Sequence, residues 1–146
     1  MRTLTLFCAI SALFTFAHTT SARAACSTET TADELLEAVE KGHQAFAQLD
    51  LTAFLKFAGI AREEILPCIK TPLTTREAAA FHRFMAIEAF TRHSYKRVVS
   101  EFHAARRLEP GYAIPSEVAD GDHPLLSHYE QAVKAQDGVP ELIYAP

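Results

Sequence analysis

AAFHRFMAIEAFTRHSYKRVVSEFHAARRLEPGY, residues 79–112, reads as two short helices around a turn. The first helix carries Ala80, Phe81, Phe84, Met85, Ile87 and Phe90. It is apolar around most of its girth, which calls for contact on more than one side. The second carries Tyr95, Val98, Val99, Phe102, Ala105 and Leu108 at helical intervals, the cleanest stripe in the chain. Ser94 stands as its N-cap and Pro110 ends it. A helix pair of this kind, met more than once, points to stacked hairpins, which work by offering a surface.

The pattern returns 44 residues earlier. Gln44-Ala45-Phe46-Ala47-Gln48-Leu49-Asp50 lies over Glu88-Ala89-Phe90-Thr91-Arg92-His93-Ser94, and both stretches end on an N-cap residue. Past the cap, Phe54 lies over Val98, Leu55 over Val99, Ala58 over Phe102, Ala61 over Ala105 and Arg62 over Arg106. The rival account is that any two amphipathic helices overlay in this way, since a fixed period informs mainly when it repeats often. Upstream, Thr31 and Glu34 have capping-box spacing before a helix over 32–47 with Leu35, Leu36, Val39 and Phe46. Asp50 then caps a second helix with Leu51, Phe54, Leu55, Ala58, Ala61 and Ile65 on its apolar face. Pro67 and Pro72 bracket a linker that no helix crosses, and Thr74 with Glu77 repeats the capping box. Downstream, Pro124 suits the first turn of a fifth helix with Leu125, Leu126, Tyr129 and Val133, which Gly138 and Pro140 stop. No stretch alternates apolar and polar residues as a strand requires. The expected fold class is all-α, with about five helices.

The N-terminus has the layout of a secretory signal peptide. Arg2 is followed by an apolar run from Leu4 to Ala17, and Ala22-Arg23-Ala24 offers small residues around a cleavage site. The run of 14 residues is short for a bilayer-spanning helix. Cys26 as a lipidated N-terminus is disfavoured by Arg23 three residues before it. The expected organisation is a leader over 1–24, a helical domain over 25–136 and a C-terminal tail over 137–146, exported to the periplasm or outside the cell. Cleavage would remove Arg2 and Arg23 and no acid, moving the formal charge from −4 to −6 over 122 residues. That acidic balance argues against nucleic acid and anionic lipid, both of which call for a basic face. No later stretch is long and apolar enough to span a membrane.

Cys8 belongs to the leader, which leaves Cys26 and Cys68, an even pair in a chain bound for an oxidising space. A disulfide between them is the expectation. A reactive thiol at Cys68 or two unpaired thiols are the alternatives, and no Cys-His signature surrounds either position. The six histidines past the leader are His43, His82, His93, His103, His123 and His128, and no two have the i, i+4 spacing of a helical zinc site. His123 and His128 are five apart, which on a helix puts them on different sides. Glu63-Glu64 reads as a solvated edge and Asp120-Gly121-Asp122 as a turn, because the rest of a calcium loop is missing. There is no nucleophile elbow, phosphate-cradling loop or dinucleotide fingerprint. The expectation is a non-catalytic chain without a cofactor. The competing reading is a small extracytoplasmic protein that binds a ligand or metal through scattered histidines.

Val98, Phe102, Ala105 and Pro110 have the spacing of the second helix of a tetratricopeptide repeat, and the segment resembles that family. The first helix departs from it, with His82 in an aromatic place, Met85 in the leucine place, Ala86 in the glycine place and Ala89 in the tyrosine place. The earlier unit departs further, with Ala58 in the phenylalanine place and a linker about ten residues longer than the 34-residue period allows. The chain is also similar to exported bacterial proteins with a few degenerate units of this kind. The resemblance implies a short, atypical α-solenoid whose first helices line a groove. The groove positions would be Ala80, Arg83, Ile87 and Phe90, with His43 added from the first helix, 44 residues before Ile87. Ile87 and Phe90 would form an apolar floor and Arg83 a charged anchor for a protein or peptide partner. The opposing reading makes Ile87 and Phe90 core and Arg83 a solvated surface residue.

Overall fold

Five α-helices carry the fold of the computed structural model, which describes residues 26, 28–116 and 118–137. They are α1 (Ala32–Ala47), α2 (Leu51–Gly59), α3 (Thr75–Thr91), α4 (Tyr95–Leu108) and α5 (Pro124–Asp137). The chain is all-α, and among the described residues the one bridge, Thr30 to Ile69, is isolated. The expected leader over 1–24, and all of the expected tail over 137–146 save Asp137, lie outside the described residues.

Both capping boxes form. Thr31 Oγ1 accepts from Glu34 N while the Glu34 carboxylate accepts from Thr31 N, and Thr74 and Glu77 do the same for α3. Each box satisfies two of the amides that a helix start leaves open. The turns that close the two hairpins share one backbone course. Leu49 and His93 are both left-handed, with φ of 59° and 56°. Leu49 N donates to Phe46 O and Asp50 N to Ala45 O; His93 N donates to Phe90 O and Ser94 N to Ala89 O. This is the Schellman arrangement, which satisfies the last carbonyls of the incoming helix. Asp50 then caps α2 through its carboxylate, whereas Ser94 stands at the N-cap of α4 without a side-chain bond. Leu51 and Tyr95, expected to open buried stripes, are 47% and 46% exposed, because each stands at the tip of its hairpin.

The second helix does not run on to Ile65 as an α-helix. From Ile60 to Ile65 it is a π-helix, followed by a 3₁₀ turn over Leu66–Cys68. Pro67 gives the reason: it has no N–H for the carbonyl four residues back, and its ring would strike that carbonyl in α geometry. The wider turn lets Leu66 N reach Ala61 O. The carbonyls left over are met by the N-terminal segment. Thr30 Oγ1 donates to Ile65 O at 2.7 Å and Thr30 N to Cys68 O at 3.2 Å. A disulfide between Cys26 and Cys68, S–S 2.05 Å, fastens the segment there.

Leu35, Phe54, Phe84, Met85, Phe102 and Leu125 form the centre of the core, drawn from all five helices. α1 packs on α2, α3 on α4 and α1 on α3, while α5 lies on α4. α3 is enclosed by three neighbours, which accounts for a helix buried from Ala79 to Ala89 with few breaks. One member of that run is charged. Glu88 is 0% exposed and meets three arginines: Arg62 Nη1 at 3.0 Å, Arg92 Nε, and Arg97 Nη1 at 3.2 Å. Arg62 and Arg92 hydrogen-bond Oε1, whereas Arg97 approaches Oε2 out of line for a hydrogen bond, so that contact is an ion pair only. The network extends from Arg62 to Glu63, and from Arg97 through Glu101 to His82, whose Nδ1 lies 2.8 Å from Glu101 Oε2. Burial raises the Glu101 pKa, but the His82 and Arg97 hydrogen bonds and charges outweigh it and hold the carboxyl below its usual range.

Candidate functional site

α1 and α3 pack against one another, and both line a shared cleft. They meet at Gly42. The Phe84 ring lies where a side chain would be, and a Cβ on Gly42 would fall 2.3 Å from Phe84 Cζ. Toward their N-termini the two helices leave a cleft of about 540 Å³, lined by Leu36, Val39, Glu40, His43, Thr74, Arg76, Glu77, Ala80 and Arg83. Pockets of ~300–1,000 Å³ are the size that ligands occupy.

Leu36, Val39 and Ala80 supply its apolar wall. Its polar groups differ in how far they are committed. Glu77 and Thr74 are bound in the capping box. Glu40 accepts from Gln44 Nε2 at 3.0 Å. Arg83 is held from behind: Nη1 lies 2.6 Å from Glu109 Oε2 and its guanidinium sits 3.8 Å above the Tyr112 ring. The Tyr129 hydroxyl donates to Tyr112 O, which fixes the tyrosine backbone. Burial raises the Tyr112 pKa against the opposing Arg83 charge. Arg76 is exposed and has no ion-pair partner among the described residues. His43 packs its ring at an edge to Phe84, centroids 5.3 Å apart, and its Nε2 is buried without a hydrogen bond. Burial lowers its pKa, Glu40 opposes that and Arg83 adds to it. His43 therefore stands as a neutral ring in the wall of the cleft.

Of the groove positions expected from the sequence, His43, Ala80 and Arg83 line this cleft. Ile87 and Phe90 do not. Ile87 is 4% exposed and belongs to the core, because α3 is enclosed at that level. Phe90 is half-buried further along, with ring centroids 5.6 Å from His123 and 6.2 Å from His128. Arg83 has a side chain only 12% exposed, so it is a fixed, partly buried cation and not a freely solvated one. Sequence reasoning passed over Leu36 and Val39, although both lie 44 residues before expected groove positions, Ala80 and Arg83. The 44-residue offset that links His43 to Ile87 links them to those positions too.

His123 and His128 meet the same ring, Phe90, and do not diverge. His123 precedes α5, so helical spacing does not govern it. Tyr95 stacks on His128 at 4.8 Å. Among the described residues no group of three or more His, Cys, Asp or Glu side chains could hold a metal ion, and no helix is long and apolar enough to cross a membrane.

Comparison with known proteins finds no match: no family model, no curated protein and no solved structure corresponds to the chain.

Proposed function

We propose that the chain is a short, degenerate tetratricopeptide-like stack that docks a peptide or a protein segment in the α1–α3 cleft, without catalysis, outside the cytoplasm. One observation carries the reading. The cleft between the first helices of the two hairpins contains His43, Ala80 and Arg83, three positions that the family resemblance assigns to a groove. The two hairpin turns, 44 residues apart and alike in backbone course, support the stacked-unit reading. Chemistry favours binding over reaction. Thr74 Oγ1 is engaged by Glu77 N, and the His43 ring keeps one nitrogen buried against aromatic core. What remains is an apolar wall with Arg76 at its rim, suited to an extended segment carrying an apolar side chain and an acidic one.

A photo-crosslinking amino acid placed at Ala80, with exposed Lys134 on α5 as the control, tests this in the cells that make the protein. A discrete adduct is expected from position 80 and not from 134, and it should disappear when Arg76→Glu is added. Equal labelling from both positions, or no adduct from the cleft under several growth conditions, would overturn the assignment.

A further inference from the structure

A second cleft, about 310 Å³, lies on the other side of α1. It is walled by Glu34, Glu37, Ala38 and Lys41 and by Phe57, Ile60 and Ile65, with Thr30 closing one edge. Thr30 is held at that edge by a strap, Cys26 and residues 28–30, which is fastened to the end of the π-helix and the turn after it. None of these four residues belongs to the hydrophobic core. Among the described residues, its non-covalent hold is the two Thr30 hydrogen bonds and the exposed Glu29–Lys70 pair at 2.8 Å, while Thr31 beyond it is held by the α1 capping box. An exposed ion pair contributes little and each hydrogen bond a modest net amount, while ordering several residues costs more than their sum. The Cys26–Cys68 bond is what keeps the strap in place. Cys26 is exposed and Cys68 half-buried, so of the two residues Cys26 is the one open to an attacking thiolate.

We propose that this disulfide is a redox latch: its reduction releases the strap and uncovers the apolar wall of Phe57, Ile60 and Ile65 while the five helices stay folded. The reductant is a dithiol. Its thiolate attacks Cys26 Sγ, the S–S bond breaks, and Cys68 leaves as a thiolate that takes a proton. The second thiol of the reductant then attacks the mixed disulfide and expels Cys26, which is protonated in turn. The reductant departs as a disulfide, having supplied two electrons. Release remains local because Leu35, Phe54 and Phe84 are fully buried in a core to which the strap contributes no residue, and because Arg62, one turn before Ile65, stays tied to Glu88.

The test uses the mature chain, purified oxidised and then treated with dithiothreitol, with the freed thiols trapped by alkylation. Hydrogen exchange at residues 28–35 and 60–70, binding of a fluorescent apolar dye and far-UV circular dichroism are read before and after. The latch predicts at least a tenfold loss of protection at the Thr30 amide, a several-fold rise in dye fluorescence, unchanged helix signal, and reversal on re-oxidation of an untrapped sample. A paired Cys26→Ser, Cys68→Ser variant should match the reduced state; if it fails to fold on expression, chemical reduction of the folded protein decides alone. Unchanged exchange and dye binding after full reduction would show that the strap holds without the bond. Collapse of the helix signal would show that the bond supports the whole fold. A disulfide that resists dithiothreitol until the chain is denatured would show that the sulfurs are inaccessible. Each of these overturns the proposal.

Discussion

Glu88 is the residue on which most charge converges. It has no exposed surface, and each of its arginines comes from a different place: the π-helix, the end of α3 itself, and α4. A buried carboxylate is tolerated only when paired, and removing one partner leaves the others uncompensated. Glu88→Gln keeps the shape and removes the charge, so three guanidinium groups face a neutral amide. We expect a loss of about 3–5 kcal/mol in urea unfolding. Glu37→Gln, which breaks an exposed i, i+4 pair with Lys41 at 2.7 Å, should change little despite the short distance, because solvent screens it. If the two variants unfold at the same urea concentration, burial is not what sets the value of the Glu88 network. Gly42 offers a second residue-scale test. Alanine is the better helix former by about 0.5–1 kcal/mol, yet its methyl would collide with the Phe84 ring. Overpacking costs roughly 1–3 kcal/mol, so Gly42→Ala should be net destabilising. Adding Phe84→Leu should recover part of that loss, giving a coupling between the two sites in a double-mutant cycle. Additive effects would mean that the helices do not meet at this point.

At the scale of elements, the hairpin turns carry a testable strain. A left-handed L-residue costs ~1–2 kcal/mol relative to the same residue in an ordinary well, and glycine avoids it at some entropic cost. Leu49 is left-handed and 82% exposed, so its side chain contributes no packing to set against that cost. Leu49→Gly should stabilise the chain, by up to about 1 kcal/mol. His93→Gly should gain less, because the His93 ring bonds the Tyr95 hydroxyl at 3.1 Å. Thermal unfolding in which neither variant gains would indicate that the turns are not strained. The elements also mark where sequence reading succeeds and where it stops. Thr31 with Glu34 and Thr74 with Glu77 could be read as helix starts because capping is local chemistry. α1 begins at Ala32 and α3 at Thr75, directly after the threonine of each box. The π turn was not legible from the apolar spacing of residues 51–65, which suits an α-helix to the end. Its cause is Pro67, read as a stop and not as a constraint on the four residues before it. Periodicity leaves Ile87 open between groove and core for another reason: it shows that α3 is apolar nearly all round, but not which neighbour covers each side. The burial of Glu88 had no signal at all, since a lone glutamate in a helix is ordinarily a solvated one.

At the scale of the whole molecule, these local commitments combine in one acid response. His43 on α1 and Glu101 on α4 are titrating groups displaced by the packing of the hairpins. The His43 pKa is lowered, chiefly by burial, from an ordinary value of 6.5. The folded protein therefore binds this proton less readily than the unfolded chain. As pH falls through 6.5 the unfolded state gains the proton first, and stability drops until the pH passes below the folded value. Above 6.5 the group contributes no pH dependence. Glu101 has a lowered pKa too: burial pushes it up, but the His82 and Arg97 bonds and charges more than offset that. For a depressed carboxyl the stabilisation is complete above its ordinary value of 4.5 and is lost as pH falls through the folded one. The two losses have the same sign and follow one another, so the urea midpoint should fall in two steps on acidification. The upper step belongs to the α1–α3 cleft and the lower one to the α3–α4 interface. His43→Gln, which cannot be charged, should remove the upper step and leave the lower. Glu101→Gln should do the reverse, at some cost in stability at neutral pH. Denaturant titrations from above His43's ordinary 6.5 to well below Glu101's ordinary 4.5 separate the two, and an upper step that survives in His43→Gln would reassign it to another histidine and remove the case for a neutral ring in the wall of the cleft.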